Sequence, residues 1–289
     1  MAIAVDRLGD MTRIKFDLPT VGAEQWFLLR SDAHHDSPIA RNGLEKRHLE
    51  QAAERGAGVL DFGDLFDAMQ GPHDPRRSIG GRKADHMTDS YFNVLLDDAE
   101  SFYAPFAQNI ILLGVGNHEE AVIKNCGFDL TRELVRRLNT AHGATVQRGG
   151  YHGWVRFQAT YCGTCVLSYD MYYTHGSGGG APVTEGKIQM ARRGNYAPDA
   201  DIIVAGHIHA ADKGAPGVWR CNQKGVVDLR KRLAIQLPGY MGHSDWAASR
   251  GHNPPLIHGA SWLVFRHGKK GQIDYCETKA ESEPMRWTG

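Results

Sequence analysis

No apolar stretch of the chain approaches the roughly 18 residues that cross a bilayer, so no transmembrane helix and no membrane partner is expected. The segment from Met1 to Phe16 carries Asp6, Asp10 and Arg13 and has no apolar core. A signal peptide is therefore not expected, and the expected compartment is the cytoplasm. Excess charge is missing too. Lys+Arg and Asp+Glu both number 33, for a formal net charge of +0. Binding to nucleic acid through bulk charge is thereby excluded, and such a partner requires a local basic face. Cysteine is sparse and odd in number, with five residues, which fits reduced thiols better than a disulfide framework. Cys162-Gly-Thr-Cys165 is a CxxC, but no second one exists to complete a zinc site. It reads as a hairpin turn flanked by two small buried residues. There is no internal repeat and no low-complexity segment.

What is present is ordinary globular composition, 42% hydrophobic and 23% charged over 289 residues. That suits one α/β domain spanning residues 1–289. The exception is the 15 histidines, many of them beside Asp, Asn or Gly. Histidine is the commonest metal ligand among side chains.

Apolar runs alternate with helical patterns. Met11–Leu18 alternates and meets Pro19, as an edge strand does. Gln25–Arg30, Gly58–Phe62, Ile110–Leu113 and Asp201–Ala205 read as buried strands. Tyr151–Gln158 and Thr164–Tyr169 pair across the Cys-Gly-Thr turn. Leu233–Leu237, Ser261–Arg266 and Gln272–Cys276 read as closing strands, the last two as a hairpin. Helical spacing covers Leu44–Arg55, Ala84–Tyr103, Phe128–Leu138 and the region near Thr184–Arg193. The mixture predicts two packed sheets with helices outside. Two long excursions, about 68–105 and 210–258, leave strand ends, where pockets and lids are commonly built.

The polar clusters fall at strand ends. They are Ser31-Asp32-Ala33-His34, Gly63-Asp64-Leu65-Phe66-Asp67, Gly116-Asn117-His118-Glu119, Thr174-His175-Gly176 and Gly206-His207-Ile208-His209. Ligands of α/β sheets gather outside the carboxyl ends of the strands, so all five tags are expected at one edge. Their Asp, Asn and His side chains form a mixed oxygen and nitrogen donor set. That set suits Mn²⁺, Fe²⁺, Zn²⁺ or Ni²⁺ and not a calcium cage.

The ordered set Asp-x-His, Gly-Asp-x-x-Asp, Gly-Asn-His-Glu, His and Gly-His-x-His, spanning residues 32 to 209, resembles the calcineurin-like metallophosphoesterase superfamily. The resemblance implies an α/β fold, a four-layer αββα sandwich of two mixed β-sheets flanked by helices. It implies two divalent metal ions, Mn²⁺ foremost, with Fe²⁺, Zn²⁺, Ni²⁺ or Mg²⁺ as alternatives. One ion would take Asp32, His34, Asp64 and His209. The other would take Asp64, Asn117, His175 and His207, with Asp64 bridging through its two oxygens. A hydroxide between the ions would attack phosphorus. His118 would serve the leaving group as general acid, and Asp67 would hold its ring. Glu119, His35 and Asp36 read as structural or packing residues.

Departures from the pattern narrow the substrate. Phosphoprotein phosphatases of this superfamily follow Gly-Asp-x-x-Asp with Arg-Gly, whereas Ala68-Met69 stand here. The wording is nearer the phosphodiesterase and nuclease branches, although those continue Gly-Asn-His-Asp where Glu119 stands. The whole sequence is similar to compact metallophosphoesterases of phages and prophages. The expectation is a phosphodiesterase acting on a nucleic acid or nucleotide. Its alternatives are a phosphomonoesterase for a small substrate and a non-catalytic binding protein on the same fold. Arg76, Arg77, Arg82 and His243 in the two excursions are candidate substrate contacts, with solvated loop positions as the plain alternative. Gly176-Ser177-Gly178-Gly179-Gly180 is either a phosphate cradle or a flexible lead into a helix.

Overall fold

The computed structural model describes residues 3–68, 82–178, 187–221, 224–242, 249, 257–269 and 273–280. The first sheet holds β1 (Ala4–Leu8), β2 (Met11–Leu18), β7 (His152–Tyr161), β8 (Cys165–Thr174), β9 (Ile202–Ala205), β10 (Asp212–Gly214) and β13 (Leu233–Gln236). Their spatial order is β1-β2-β7-β8-β9-β13-β10. The second holds β3 (Glu24–Arg30), β4 (Gly58–Asp61), β5 (Ile110–Leu113), β6 (Gln147–Arg148), β14 (Ser261–His267) and β15 (Ile273–Lys279), in the order β15-β14-β3-β4-β5-β6. Both sheets are mixed. β3, β4 and β5 run parallel, as do β8, β9 and β13, while β7–β8 and β14–β15 are antiparallel pairs.

The layer order follows from side-chain alternation. In β3, Phe27 and Leu29 enter a core shared with Phe16, Phe157 and Ile202 of the first sheet, whereas Leu28 joins a different core. That other core is built with Leu44 and Leu49 of α1 (Asn42–Glu54), Leu95, Leu96 and Ala99 of α2 (Tyr91–Tyr103), and Leu134 and Leu138 of α4 (Leu130–His142). On the far side, Ile203 of β9 turns outward to Ala197, Ala200 and Met190, the last on α5 (Lys187–Tyr196). Helices, sheet, sheet and helix therefore stack as the expected αββα sandwich. Phe27 sits at the middle of the inter-sheet core, 4.9 Å from Phe157 and 5.9 Å from Phe265, edge-on to both.

Several expectations change. Met11–Leu18 is not an edge strand, because β1 folds back on it in a hairpin and takes the edge. The Cys162-Gly-Thr-Cys165 turn does join two antiparallel strands, but both cysteines are exposed. The helix expected over Ala84–Tyr103 begins only at Tyr91, after a 3-10 turn at Ala84–His86. In the second excursion, β10 runs back along β13, away from His209. A hairpin of β11 (Gly217–Cys221) and β12 (Val227–Lys231) follows. Arg220 of that hairpin donates to the carbonyls of Pro198 and Ala200, at the start of β9 and opposite His207. Arg220 thus places the β11–β12 hairpin toward the end of the sheet away from His207. The chain returns at Gly239-Tyr240, where the Tyr240 N–H donates to the Asp32 carbonyl. Among the described residues, no helix is long and apolar enough to cross a membrane.

Candidate metal centre

Asp32 and His34 follow β3, Asp64 follows β4, and Asn117 follows β5. All four therefore leave the second sheet. His175 follows β8, and His207 and His209 follow β9, in the first sheet. The five tags gather at one edge as the parallel strand directions require, and they meet across the seam between the sheets. Three groups of donor atoms result, each with its atoms within 4.8 Å of one another. They are Asp32, His34 and His209; His34, Asp64 and His118; and Asp64, His175 and His207. Each can hold a metal ion. Asn117 joins the last group, its Oδ1 lying 3.2 Å from His175 Nε2.

The backbone is bent to achieve this. Asp32 (φ 56°), His34 (φ 45°), Asp64 (φ 53°), His207 (φ 74°) and His209 (φ 52°) all occupy the left-handed region. A residue with a Cβ pays about 1–2 kcal/mol to sit there. Strain of this kind persists where the surroundings over-determine it, and it collects at functional sites. Gly116 shows how tightly the loops abut. A Cβ on it would overlap the Asp64 carboxylate.

The two carboxylates each divide their oxygens between structure and site. Asp32 Oδ2 accepts the N–H of His207 at 2.8 Å. Its Oδ1 lies 3.2 Å from His209 Nε2 but has no hydrogen-bond partner in proper geometry. Asp64 Oδ1 accepts the N–H of His118 at 3.0 Å. Its Oδ2 lies 3.0 Å from His175 Nε2, 3.7 Å from His118 Nε2 and 4.0 Å from His34 Nε2. Asp64 Oδ2 thus faces histidines that leave both sheets, His175 from the first and His118 and His34 from the second.

The histidines are oriented by their far nitrogens. His175 Nδ1 donates to the Phe62 carbonyl at 3.1 Å, and His118 Nδ1 donates to the Asp67 carbonyl at 2.6 Å. A carbonyl only accepts, so both rings must carry a proton on Nδ1 and turn Nε2 toward the site. His34 Nδ1 faces the Asp67 carboxylate at 3.2 Å. Its Nε2 is buried without a hydrogen-bond partner. Orphaned buried groups of this kind, here Asp32 Oδ1 and His34 Nε2, carry a desolvation penalty that a cation between them would remove. The donor set fits divalent metal ions.

Electrostatics agree. Burial alone would raise the Asp64 carboxyl, but the imidazoles of His118, His175 and His34 outweigh it and hold the group well below the usual carboxylate range. Burial likewise opposes Asp32, whose carboxyl His209 and His175 hold low. His175 is pushed up to about 10, because Asp64 and Asp32 overcome the burial that would lower it. Burial, together with the His175 charge, takes His207 down to about 4.

Asp67 stands differently from expectation. The nearest group to the His118 ring is its backbone carbonyl, and its carboxylate, at 3.3 Å from His118 Nδ1, is shared with His34. Glu119, expected to be structural, ties two tags together. It accepts N–H groups from Gly116 at 2.8 Å, Phe66 at 2.9 Å and Asp64 at 3.1 Å. Burial and the Asp64 charge raise it to about 7. Sequence reasoning also missed α3 (Asn117–Cys126), which starts on the Asn117 donor itself. Its signals were present in Glu119 three residues past Gly116 and in Gly127 at the end. Of the candidate substrate contacts, Arg82 lies with its guanidinium 4.3 Å over the Tyr91 ring. Arg76, Arg77 and His243 lie outside the described residues, as do Gly179 and Gly180.

The chain matches no protein-family model, and no curated protein matches it. Solved structures similar to it include a conserved uncharacterised protein from Streptococcus pneumoniae TIGR4 described as a predicted phosphoesterase. That likeness has 10% identity and TM-score 0.35, over 89% of this chain and 99% of the other. The calcineurin-like phosphoesterase YfkN from Bacillus subtilis is similar at 13% identity and TM-score 0.33, over 92% and 91%. GAP50, described as the anchor in the inner membrane complex of Plasmodium, is similar at 12% identity and TM-score 0.36, over 90% and 89%. At these values nothing about the site is carried over from them, and its chemistry rests on this chain's own residues.

Proposed function

We propose that the protein is a dinuclear metal-dependent phosphoesterase of the calcineurin-like kind, acting on phosphodiesters of nucleotides or nucleic acids. The observation that carries this reading is the Asp64 carboxylate, which belongs to two donor groups at once, one with His34 and His118 and one with His175 and His207. One ion would be held by Asp32, His34, Asp64 and His209, and the other by Asp64, Asn117, His175 and His207. When bound, the two ions supply Lewis-acid stabilisation of phosphate charge and an activated water for attack.

The remaining chemistry belongs to the chain. With its Nδ1 proton directed at the Asp67 carbonyl, His118 turns Nε2 toward the site; in its doubly protonated form it would pass the Nε2 proton to the leaving oxygen and be left neutral. The Asp67 carboxylate lies 3.2 Å from His34 Nδ1 and 3.3 Å from His118 Nδ1, and so helps to orient both rings. A diester is favoured by the space beside Asn117. A cavity of about 660 Å³ opens there, lined by Val115, Lys124, Arg148 and Tyr151 among others. It leaves room for the chain on the second side of a phosphodiester.

The test is turnover of bis- and mono-p-nitrophenyl phosphate with Mn²⁺. The diester is expected to be preferred, and a clear monoester preference would sink the diester reading. Absence of bound metal together with no metal-stimulated turnover would favour a binding protein instead.

A further inference from the structure

Asp36 is not a member of the donor set, and its sequence position suggested packing alone. Its carboxylate is 3% exposed yet fully engaged. It accepts the N–H of Asp67 at 2.6 Å, the N–H of Ala68 at 3.0 Å and the hydroxyl of Tyr91 at 3.2 Å. Turning two consecutive N–H groups onto one carboxylate demands a tight bend, and Ala68 is held in it at φ 40°. That conformation is disfavoured for a residue with a Cβ. Charge-assisted hydrogen bonds to a buried carboxylate are strong enough to impose it.

The bend decides where Asp67 points. A backbone carbonyl cannot be re-aimed by a rotamer change; it goes where the chain goes. Here it meets His118 Nδ1 at 2.6 Å, while the Asp67 side chain meets His34. Tyr91, on α2, fixes Asp36 from behind and carries Arg82 on its ring. Arg82, which the sequence placed among candidate substrate contacts, stacks on that same Tyr91 ring.

We infer that Asp36, seated by Tyr91, is the positioning residue for proton transfer at this site: it fixes the Asp67 backbone and thereby the direction in which the His118 Nε2 proton faces the leaving oxygen. The inference rests on the phosphoesterase reading above.

A leaving group that departs as a stabilised phenolate needs little protonation, whereas an alkoxide needs it fully. The experiment compares thymidine 5′-(p-nitrophenyl phosphate) with a thymidine dinucleotide, both with Mn²⁺, for the wild type, Asp36→Asn and Tyr91→Phe. Asp36→Asn is expected to lower kcat on the dinucleotide by about 10–100-fold, with a much smaller loss on the p-nitrophenyl ester. KM and bound Mn²⁺ should stay near wild-type values. Tyr91→Phe should show the same split at smaller size, and it guards against misfolding of the Asp36 variant. Amide exchange at Asp67 and Ala68 should be slow in the wild type and faster in both variants. Equal losses on the two esters, or unchanged exchange at those amides, overturn the assignment to Asp36. No turnover of either ester by the Mn²⁺-loaded wild type sinks the phosphoesterase reading itself.

Discussion

Asp64 meets His118 twice, accepting its backbone N–H on Oδ1 at 3.0 Å and facing its Nε2 with Oδ2 at 3.7 Å. The carboxylate at the middle of the site is thus also the group that sets the first turn of α3, which carries Asn117 and His118. Removing its charge should damage both halves of the centre together. Asp64→Asn is expected to lower bound Mn²⁺ from two ions per chain to one or none. Turnover should fall by more than roughly 100-fold, the upper end of what losing even an outer supporting contact does to such sites. Elemental analysis and steady-state kinetics check this; two retained ions would contradict the central place given to Asp64.

His118 should separate from the ligands by its phenotype. His118→Ala is expected to lower kcat on an alkyl diester by about 10²–10⁴-fold, the usual range for a lost proton-transfer group. Bound metal should remain close to the wild-type amount. A variant that loses metal in parallel with activity would place His118 in the donor set, as its distance to Asp64 also permits.

The left-handed ligands carry a separable strain. His209→Gly and His209→Ala both delete the imidazole, but only glycine relaxes the φ of 52°. In the metal-free protein the glycine variant should be more stable than the alanine variant by about 1 kcal/mol, with both equally inactive. Urea denaturation in the presence of chelator measures the difference. Equal midpoints would mean that the loop relaxes once the imidazole is gone.

A buried ionic cluster beneath the site predicts the pH dependence of stability. The Arg30 guanidinium lies between Glu45 and Asp61, 2.9 Å from the latter. One cation cannot satisfy two buried carboxylates equally. Burial is the largest influence on both, yet Arg30 and His35 take Glu45 down from 4.5 to about 2, while Asp61 goes up from 3.8 to about 6. The raised Asp61 favours the folded state below pH 3.8 and loses that contribution as pH rises through about 6. Glu45 acts oppositely, stabilising above 4.5 and losing its contribution as pH falls toward 2. Asp61→Asn mimics the protonated form. Its stability relative to the wild type should therefore increase between about pH 4 and pH 6 in chemical denaturation. A difference that does not change with pH would show that Asp61 is ionised throughout.

The site's donors were legible because each is a metal-binding residue type placed just past an apolar run, and β5 was read to the residue, Ile110–Leu113. What escaped the sequence depends on distant chain. Nothing local to Asp36 announces that its carboxylate will cap the backbone of Asp67, 31 residues away. Nothing local to Asp67 announces that its carbonyl, not its carboxylate, will lie nearest His118. The β1–β2 hairpin was passed over because Ala4–Leu8 is half-exposed and alternates weakly. The run of β10 away from the site depends on its pairing with β13, which no local pattern encodes.

The two sheets are separate hydrogen-bonded ladders among the described residues, and in the core between them side chains such as Phe27 and Phe157 pack together. Yet both donor groups at the proposed ion positions, Asp32 with His34 and His209, and Asp64 with His175 and His207, draw from each sheet at once. An occupied centre is therefore a rivet through the sandwich. Sliding one layer past the other would require pulling ligands off an ion, and occupancy at 100 times Kd would add about 2.7 kcal/mol per site to the folded state. With the centre occupied, metal supply would set how stable the fold is as well as how fast the proposed reaction runs.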